Sequence, residues 1–142
     1  SKEEALGEYF QSTLENIRKF SNFDVYGHLD YAVRYAPGKD EGYSYSAYRD
    51  IFDDILKELL DKGKGIELNT GGIKKGMRDF HPCMDALKRY RELGGEIITI
   101  GSDSHDTAHI GDSFGRAAEV LRECGFQYYC VFEKRNPEFH KL

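Results

Sequence analysis

The feature that most constrains the fold is a repeated alternation of short apolar runs with amphipathic segments of helical spacing. The apolar runs are residues 23–27, 65–69, 96–100 and 128–132, and the helical segments between them are residues 46–61, 82–93 and 113–124. Strands that alternate with helices of about 10–15 residues are usually parallel. The pattern therefore predicts an α/β fold of the order βαβαβαβ, either as an open doubly wound sheet or as part of a barrel.

A further helix is predicted at the N-terminus, before the first apolar run. Its apolar side chains recur every three or four residues and share one face: Leu6, Tyr9, Phe10, Leu14, Ile17 and Phe20. Ser46 is expected to cap the next helix, which Gly63 would end. Pro82 is expected at the first position of the helix that follows.

Length and composition indicate one domain over residues 1–142 that contains a hydrophobic core. The net charge of −5 argues against nucleic acid or a membrane surface as a partner. The sequence contains no apolar run of about 20 residues and does not begin like a signal peptide, so we expect a cytoplasmic protein. Three cysteines without a C-x-x-C pair are expected to be reduced.

Polar side chains concentrate where the predicted strands end. GHLD follows the first strand, ELNT closes the second, and GSDSH follows the third. In parallel α/β folds the loops at the carboxyl ends of the strands converge and bind ligands. The sequence therefore predicts its chemistry at this edge of the sheet.

Two short motifs at these strand ends have the spacing of metal ligands. Asp103 and His105 are two residues apart, so in extended backbone both side chains point to one side. A carboxylate with an imidazole suits zinc, manganese or iron. The alternative is that Asp103 caps a turn while His105 lies on the surface. His28 and Asp30 repeat the spacing, with His28 as a ligand or a core histidine and Asp30 as a ligand or a hydrogen-bond acceptor for an imidazole.

Other residues at the same edge are candidates for support or for phosphate binding. Glu67 lies on an otherwise apolar strand and would act as a ligand, a base or the partner of a cation. The glycine-rich loop 71–78 carries three cations, of which Arg78 is suited to a bidentate phosphate contact, although a solvated loop is equally compatible. Arg34 is a second phosphate-binding candidate. His81 would contact substrate, cap a helix or lie on the surface.

Cys83 and Arg89 have the C-x5-R spacing of cysteine phosphatases. The intervening MDALK favours a helix and lacks the glycine that would let backbone amides surround a phosphate. A cysteine-dependent phosphatase is therefore disfavoured.

Taken together, the segments GHLDYAVRY, IELNTGG and HPCMDALKRYRELGGEIITIGSDSH resemble the polymerase-and-histidinol-phosphatase (PHP) family, and within it the histidinol-phosphatases. The resemblance implies a distorted TIM-like (β/α) barrel with up to three divalent metals at its C-terminal mouth. It also implies hydrolysis of a phosphate monoester, L-histidinol phosphate, in histidine biosynthesis. By motif, His28, Asp103 and His105 correspond to metal ligands, and Arg34 and Arg78 to phosphate contacts.

The chain departs from the family in lacking the H-x-H ligand pair of the first barrel strand, since its first histidine is His28. We therefore expect the C-terminal half of the barrel, a single partial domain over residues 1–142 that lacks the N-terminal metal-binding strands. Such a half is expected to bind fewer metals or none, to be inactive alone, and to form a homo-oligomer through its exposed sheet edge. The alternatives are a phosphoesterase acting on nucleotides or DNA ends, and a non-catalytic module that binds a phosphorylated metabolite or a partner.

Overall fold

The computed structural model describes all 142 residues and has an α/β fold with a three-stranded parallel sheet. The strands of this sheet are β1 (Val25–Tyr26), β2 (Gly65–Asn69) and β3 (Ile98–Gly101), in the order β1-β2-β3. The helices are α1 (Lys2–Lys19), α2 (Arg49–Asp61), α3 (Gly71–Lys74), α4 (Met84–Glu92) and α5 (Phe114–Glu123). None of these helices is long and apolar enough to span a membrane.

The helix boundaries follow local capping chemistry. A capping box begins α1. The Ser1 hydroxyl accepts a hydrogen bond from the Glu4 amide, and the Glu4 carboxylate accepts one from the Ser1 amine. Helix α2 was predicted to begin near Ser46, but it begins at Arg49 because residues 45–48 form a 3-10 turn. Gly63 has φ +66°, the left-handed conformation that ends a helix, as predicted.

The fourth predicted strand forms, but it does not extend the parallel sheet. β4 (Tyr128–Glu133) pairs antiparallel with β5 (Asn136–Lys141), a strand that the alternation did not predict. Pro137 lies in β5, and a two-stranded hairpin accommodates it because each strand has a free edge. An ion pair joins the hairpin turn to the residue that precedes β1: the Arg135 guanidinium lies 2.9 Å from the Asp24 carboxylate. The prediction that all four strands are parallel is therefore wrong for β4.

The hydrophobic core joins α1 and α2 to the sheet. On α1 the side chains of Leu6, Phe10, Leu14 and Ile17 are at most 3% exposed, and the Phe10 ring lies 4.7 Å from that of Phe52 on α2. Phe20 was expected on this face, but it follows the last helical residue and is 57% exposed. All three cysteines are free.

An ion pair between α2 and α4 makes stability depend on pH. Arg89 Nη2 lies 2.7 Å from Asp53 Oδ2, and this hydrogen bond lowers the pKa of Asp53 to about 2. Since the pKa is lowered in the folded state, the stabilisation is complete above the unfolded value of about 4 and is lost as the pH falls towards 2. We expect urea midpoints to fall over this window and to fall less in Asp53→Asn. An equal decline in both proteins would contradict the assignment.

Candidate active site at the strand ends

An open cleft of about 880 Å³ lies at the carboxyl ends of the parallel strands. Loops that follow β1, β2 and β3 all contribute to it, as expected for this edge of the sheet. We call it the strand-end cleft, and its lining residues are His28, Tyr31, Arg34, Tyr35, Gly71, Lys74, Lys75, Ser102, Asp103, Ser104, His105, Asp106 and His109. All three predicted metal ligands are among them, together with one of the two predicted phosphate contacts.

Two of the candidate ligands occupy the left-handed region of backbone space. His28 has φ +34° and Asp103 has φ +48°. Residues other than glycine adopt such angles rarely, and they concentrate at functional sites where the surrounding structure holds them. The two residues follow β1 and β3. At the end of both strands, a left-handed backbone conformation therefore places a polar side chain at the cleft.

The carboxylate of Glu67 on β2 is hydrogen-bonded to the turn that carries His28. Its Oε2 accepts a hydrogen bond from the His28 amide at 3.0 Å, and both carboxylate oxygens accept from Asn69 Nδ2 at 3.2 Å. Among the alternatives for Glu67, the partner of a cation is excluded, because none of the ion pairs in the structure involves it. The observed contacts give it a supporting role through the His28 backbone.

Two glycines make room for the Glu67 carboxylate. A Cβ added at Gly101 would overlap Oε1, and one at Gly27 would lie 3.2 Å from Oε2. We expect Gly101→Ala to displace the carboxylate and to lower the free energy of unfolding by about 1–3 kcal/mol, measured by urea denaturation. Gly7→Ala is the matched control, since Gly7 lies on α1 with open space around it; there the substitution should stabilise by up to about 1 kcal/mol. Equal effects at both positions would contradict the packing argument.

Two imidazoles of the cleft, those of His28 and His105, each have a ring nitrogen without a hydrogen-bond partner in the chain. His105 Nδ1 lies 2.8 Å from the Asp103 carbonyl oxygen, so Nδ1 carries the proton and Nε2 keeps a free lone pair. The His28 ring packs against Tyr31 at 4.6 Å between centroids, and its Nδ1 is buried without a hydrogen-bond partner. A buried nitrogen without a partner is unusual in a folded protein, and Arg34 Nε and His81 Nε2 share this state.

Arg34 is held rigidly beside these residues. Its side chain is 7% exposed, and the guanidinium lies 4.0 Å above the Tyr31 ring and 5.1 Å from that of Tyr35. Nη2 is 3.8 Å from Asp103 Oδ2, while the buried Nε has no partner. The two tyrosine rings hold the planar cation at the lining of the cleft, where a guanidinium suits an anion.

Arg78, the other predicted phosphate contact, does not line the cleft. Its amide and Nη2 donate to the Asp40 carboxylate and carbonyl at 2.7 and 3.0 Å, and its side chain is largely exposed. The first residues of the same glycine-rich loop form α3, which brings Lys74 and Lys75 to the cleft instead. Lys74 Nζ lies 3.2 Å from Asp112. The loop supplies cations as predicted, but the short helix changes which ones.

Asp30 and His81 form a buried pair behind the cleft. Asp30 Oδ1 lies 2.6 Å from His81 Nδ1, and Asp30 Oδ2 accepts from the Cys83 amide at 2.9 Å and the Tyr43 hydroxyl at 3.1 Å. His81 is fully buried, so a direct substrate contact or a surface position does not fit it. Asp30 thereby joins the loop before α4 to the turn that carries His28 and hydrogen-bonds an imidazole, one of its two alternatives; its support of a metal site stays a prediction.

The buried surroundings also decide the chemistry of Cys83. Burial raises the pKa of its thiol, and the negative charge of Asp30 raises it further. Arg89, the other residue of the C-x5-R spacing, is paired with Asp53 on α2. A protonated thiol without its arginine is not a phosphatase nucleophile.

The family comparison decides the assignment of the chain. The PHP domain profile matches residues 1–71, half of the sequence, and this segment contains His28, Asp30, Arg34 and Glu67. The chain belongs to the PHP domain family. The cleft residues of this PHP chain from Lys74 onward, including Asp103 and His105, lie outside the matched segment.

The curated relatives of the PHP chain are histidinol-phosphatases, and they are longer than this chain. The histidinol-phosphatase of Lactococcus lactis is 34% identical over 131 residues, which cover 92% of this chain and 48% of that protein. The probable histidinol-phosphatase of Clostridium acetobutylicum is 37% identical over 134 residues, 94% of this chain and 52% of that protein. The chain thus spans about half the length of the curated relatives it matches.

A solved structure extends the likeness to three dimensions. Histidinol phosphate phosphatase from Lactococcus lactis, complexed with zinc, L-histidinol and phosphate, superposes with a TM-score of 0.82 and 31% identity. The match covers 97% of the PHP chain and 52% of that chain. The α/β arrangement described above is therefore similar to that of a histidinol phosphatase.

The donor set of the PHP chain suits a transition metal in kind but is incomplete. Imidazole nitrogens and a carboxylate are the ligands of zinc, manganese and iron, and the unpartnered His28 Nδ1 and free His105 Nε2 are available. No three His, Cys, Asp or Glu side chains of the chain are grouped closely enough to hold an ion. The cleft therefore fits part of a metal site.

Sequence reasoning missed several residues of the cleft. Tyr31 and Tyr35 belong to a 3-10 helix after β1, and only the turn geometry shows that they flank Arg34. His109 also lines the cleft, with its Nδ1 2.6 Å from Asp106. The single available signal was the i, i+4 spacing of the tyrosines on either side of the arginine.

Proposed function

We propose that the PHP chain is the C-terminal part of a metal-dependent phosphatase that hydrolyses L-histidinol phosphate to L-histidinol and phosphate. The observation that carries the proposal is the convergence of His28, Asp103, His105 and Arg34 in one cleft at the strand ends. Histidinol-phosphatases among the relatives, one of them complexed with zinc, L-histidinol and phosphate, support the choice of substrate and metal.

In this proposal His28, Asp103 and His105 contribute ligands to zinc, manganese or iron, and up to three ions occupy the complete protein. Bound ions would supply Lewis acidity and lower the pKa of water. The remaining ligands come from polypeptide outside these 142 residues, in keeping with the incomplete donor set and with the length of the relatives. The chain alone would then bind fewer ions or none.

The other cleft residues act on the substrate and on each other. Arg34, stacked on the tyrosine rings, binds the phosphate, and Lys74 and Lys75 add positive charge to the same cleft. Glu67 orients the His28 backbone, and Asp30 with His81 keeps the loop after β2 in place. Arg78 is left out of this proposal, because it bonds Asp40 outside the cleft.

We further propose that the parallel sheet is part of a TIM-like barrel, with the chain as one partial domain. The β1 edge has no strand beside it, and an apolar hollow of about 470 Å³ adjoins it, lined by Ile17, Phe20, Phe23 and Tyr26. A further strand from outside the chain would pair with β1 and cover these side chains. A second copy is the alternative occupant, and light scattering in the presence and absence of flanking polypeptide distinguishes the two.

The test is phosphate release from L-histidinol phosphate with added zinc or manganese, for the 142-residue chain and for the protein with its flanking sequence. We expect turnover with the flanking sequence and little without it. If a substrate panel shows a preference for nucleotides or DNA ends, the protein is a phosphoesterase of another specificity, and L-histidinol phosphate is not its substrate. If both the 142-residue chain and the protein with its flanking sequence bind phosphate without turnover, the proposal of an enzyme is wrong.

A further inference from the structure

The hydroxyl of Tyr35 lies at the mouth of the strand-end cleft and has no role in the function described so far. It accepts a hydrogen bond from Arg34 Nη2 at 3.1 Å, and the Tyr31 hydroxyl lies 2.7 Å away. The Tyr35 side chain is 67% exposed. Tyr35 thus lines the cleft and is accessible to a ligand bound there.

In the arrangement in which the Tyr31 hydroxyl donates to Tyr35, the proton of Tyr35 is free. Its oxygen accepts from Arg34, and where Tyr31 donates to it as well, the remaining hydrogen on Tyr35 points to no protein atom. Both neighbours stabilise the phenolate, and the pKa of Tyr35 is lowered by the hydrogen bonds from Tyr31 and Arg34, with the charge of Lys75 adding to the effect.

Arg34 brings Tyr35 close to the candidate metal ligands. The same nitrogen, Nη2, lies 3.1 Å from the Tyr35 hydroxyl and 3.8 Å from Asp103 Oδ2. A phosphate bound to Arg34 would therefore lie near both Asp103 and the Tyr35 phenol. Histidinol phosphate is an alkyl ester, and its leaving alkoxide is a strong base that needs a proton as the P–O bond breaks.

We propose that Tyr35 is the general acid that protonates the leaving oxygen, an inference that rests on the phosphatase function proposed above. Water attacks phosphorus, the P–O bond to the alcohol breaks with its electron pair on the ester oxygen, and the Tyr35 proton moves to that oxygen. The products are the alcohol and phosphate. The tyrosinate, held by Arg34 and Tyr31, is reprotonated through solvent with the proton that the attacking water lost.

Tyr35→Phe in the active form of the protein tests this with two esters of different leaving group. We expect kcat for L-histidinol phosphate to fall about 100-fold. For 4-nitrophenyl phosphate, whose phenolate leaves without a proton, the change should stay below about threefold. Tyr128→Phe on the hairpin, outside the cleft, is the matched control and should leave both rates unchanged.

The outcomes separate the inference from the proposed function. If the unmodified protein hydrolyses neither ester, the proposed function fails and the role of Tyr35 fails with it. If it hydrolyses both and Tyr35→Phe slows both equally or neither, only the role of Tyr35 is overturned. Should the phenylalanine variant unfold, 3-fluorotyrosine at position 35 keeps the hydroxyl; it should shift the alkaline limb for the alkyl ester to lower pH, and an unshifted limb overturns the assignment.

Discussion

Replacement of His105 by alanine in the active protein should lower kcat for L-histidinol phosphate by about a thousandfold. The Asp103 carbonyl accepts the Nδ1 proton of His105 and leaves Nε2 free, so the variant removes a proposed metal ligand whose ring is already oriented. Metal ions stabilise phosphoryl transition states by several kcal/mol, and each 1.4 kcal/mol corresponds to a factor of ten. Steady-state kinetics with zinc or manganese, together with metal content by plasma mass spectrometry, measure the loss.

His140→Ala supplies the matched control for this variant. His140 lies on β5, outside the cleft, with a partly exposed side chain, so its removal should change neither turnover nor metal content. Normal turnover in His105→Ala would show that the residue is not a ligand. An equal loss in both variants would indicate a general effect of removing histidine.

The second large effect is expected at Arg34. Arg34→Ala should raise KM for L-histidinol phosphate by about 10–100-fold, because hydrogen bonds to a charged group contribute about 1.5–3 kcal/mol and the stacked guanidinium is already oriented. Arg78→Ala is the control within the same class of residue, and it should stay within about threefold. The two variants are compared by steady-state kinetics and by the inhibition constant of inorganic phosphate.

The reverse result is equally informative. A large rise in KM for Arg78→Ala with a normal Arg34→Ala would mean that the loop 71–78 rearranges on binding and releases Arg78 from Asp40. The assignment of the phosphate contact to Arg34 would then be wrong.

The parallel sheet and the location of the site follow from the sequence for identifiable physical reasons. β2 forms with its predicted bounds because an apolar run between two glycine turns leaves little choice of register. Since β1, β2 and β3 are parallel, their polar carboxyl ends converge, which is why His28, Asp103 and His105 were predicted together.

Other features depend on contacts that no local pattern encodes. β4 was expected to be parallel, and its antiparallel partner β5 contains a proline that argues against a strand until the edge position is known. Arg78 has the residue type of a phosphate contact, but Asp40, 38 residues earlier, sets its position. His81 is likewise buried by its pairing with Asp30, 51 residues away. In each case the deciding partner is distant in sequence.

Crystals of the protein with its flanking sequence, grown with zinc and phosphate and measured at the zinc absorption edge, test the central claim most directly. We predict anomalous peaks in the strand-end cleft within bonding distance, about 2.0–2.2 Å, of His28, Asp103 and His105, with phosphate against Arg34. Zinc bound elsewhere, or a cleft that holds phosphate without zinc, would contradict the assignment of this PHP chain to a metal-dependent phosphatase.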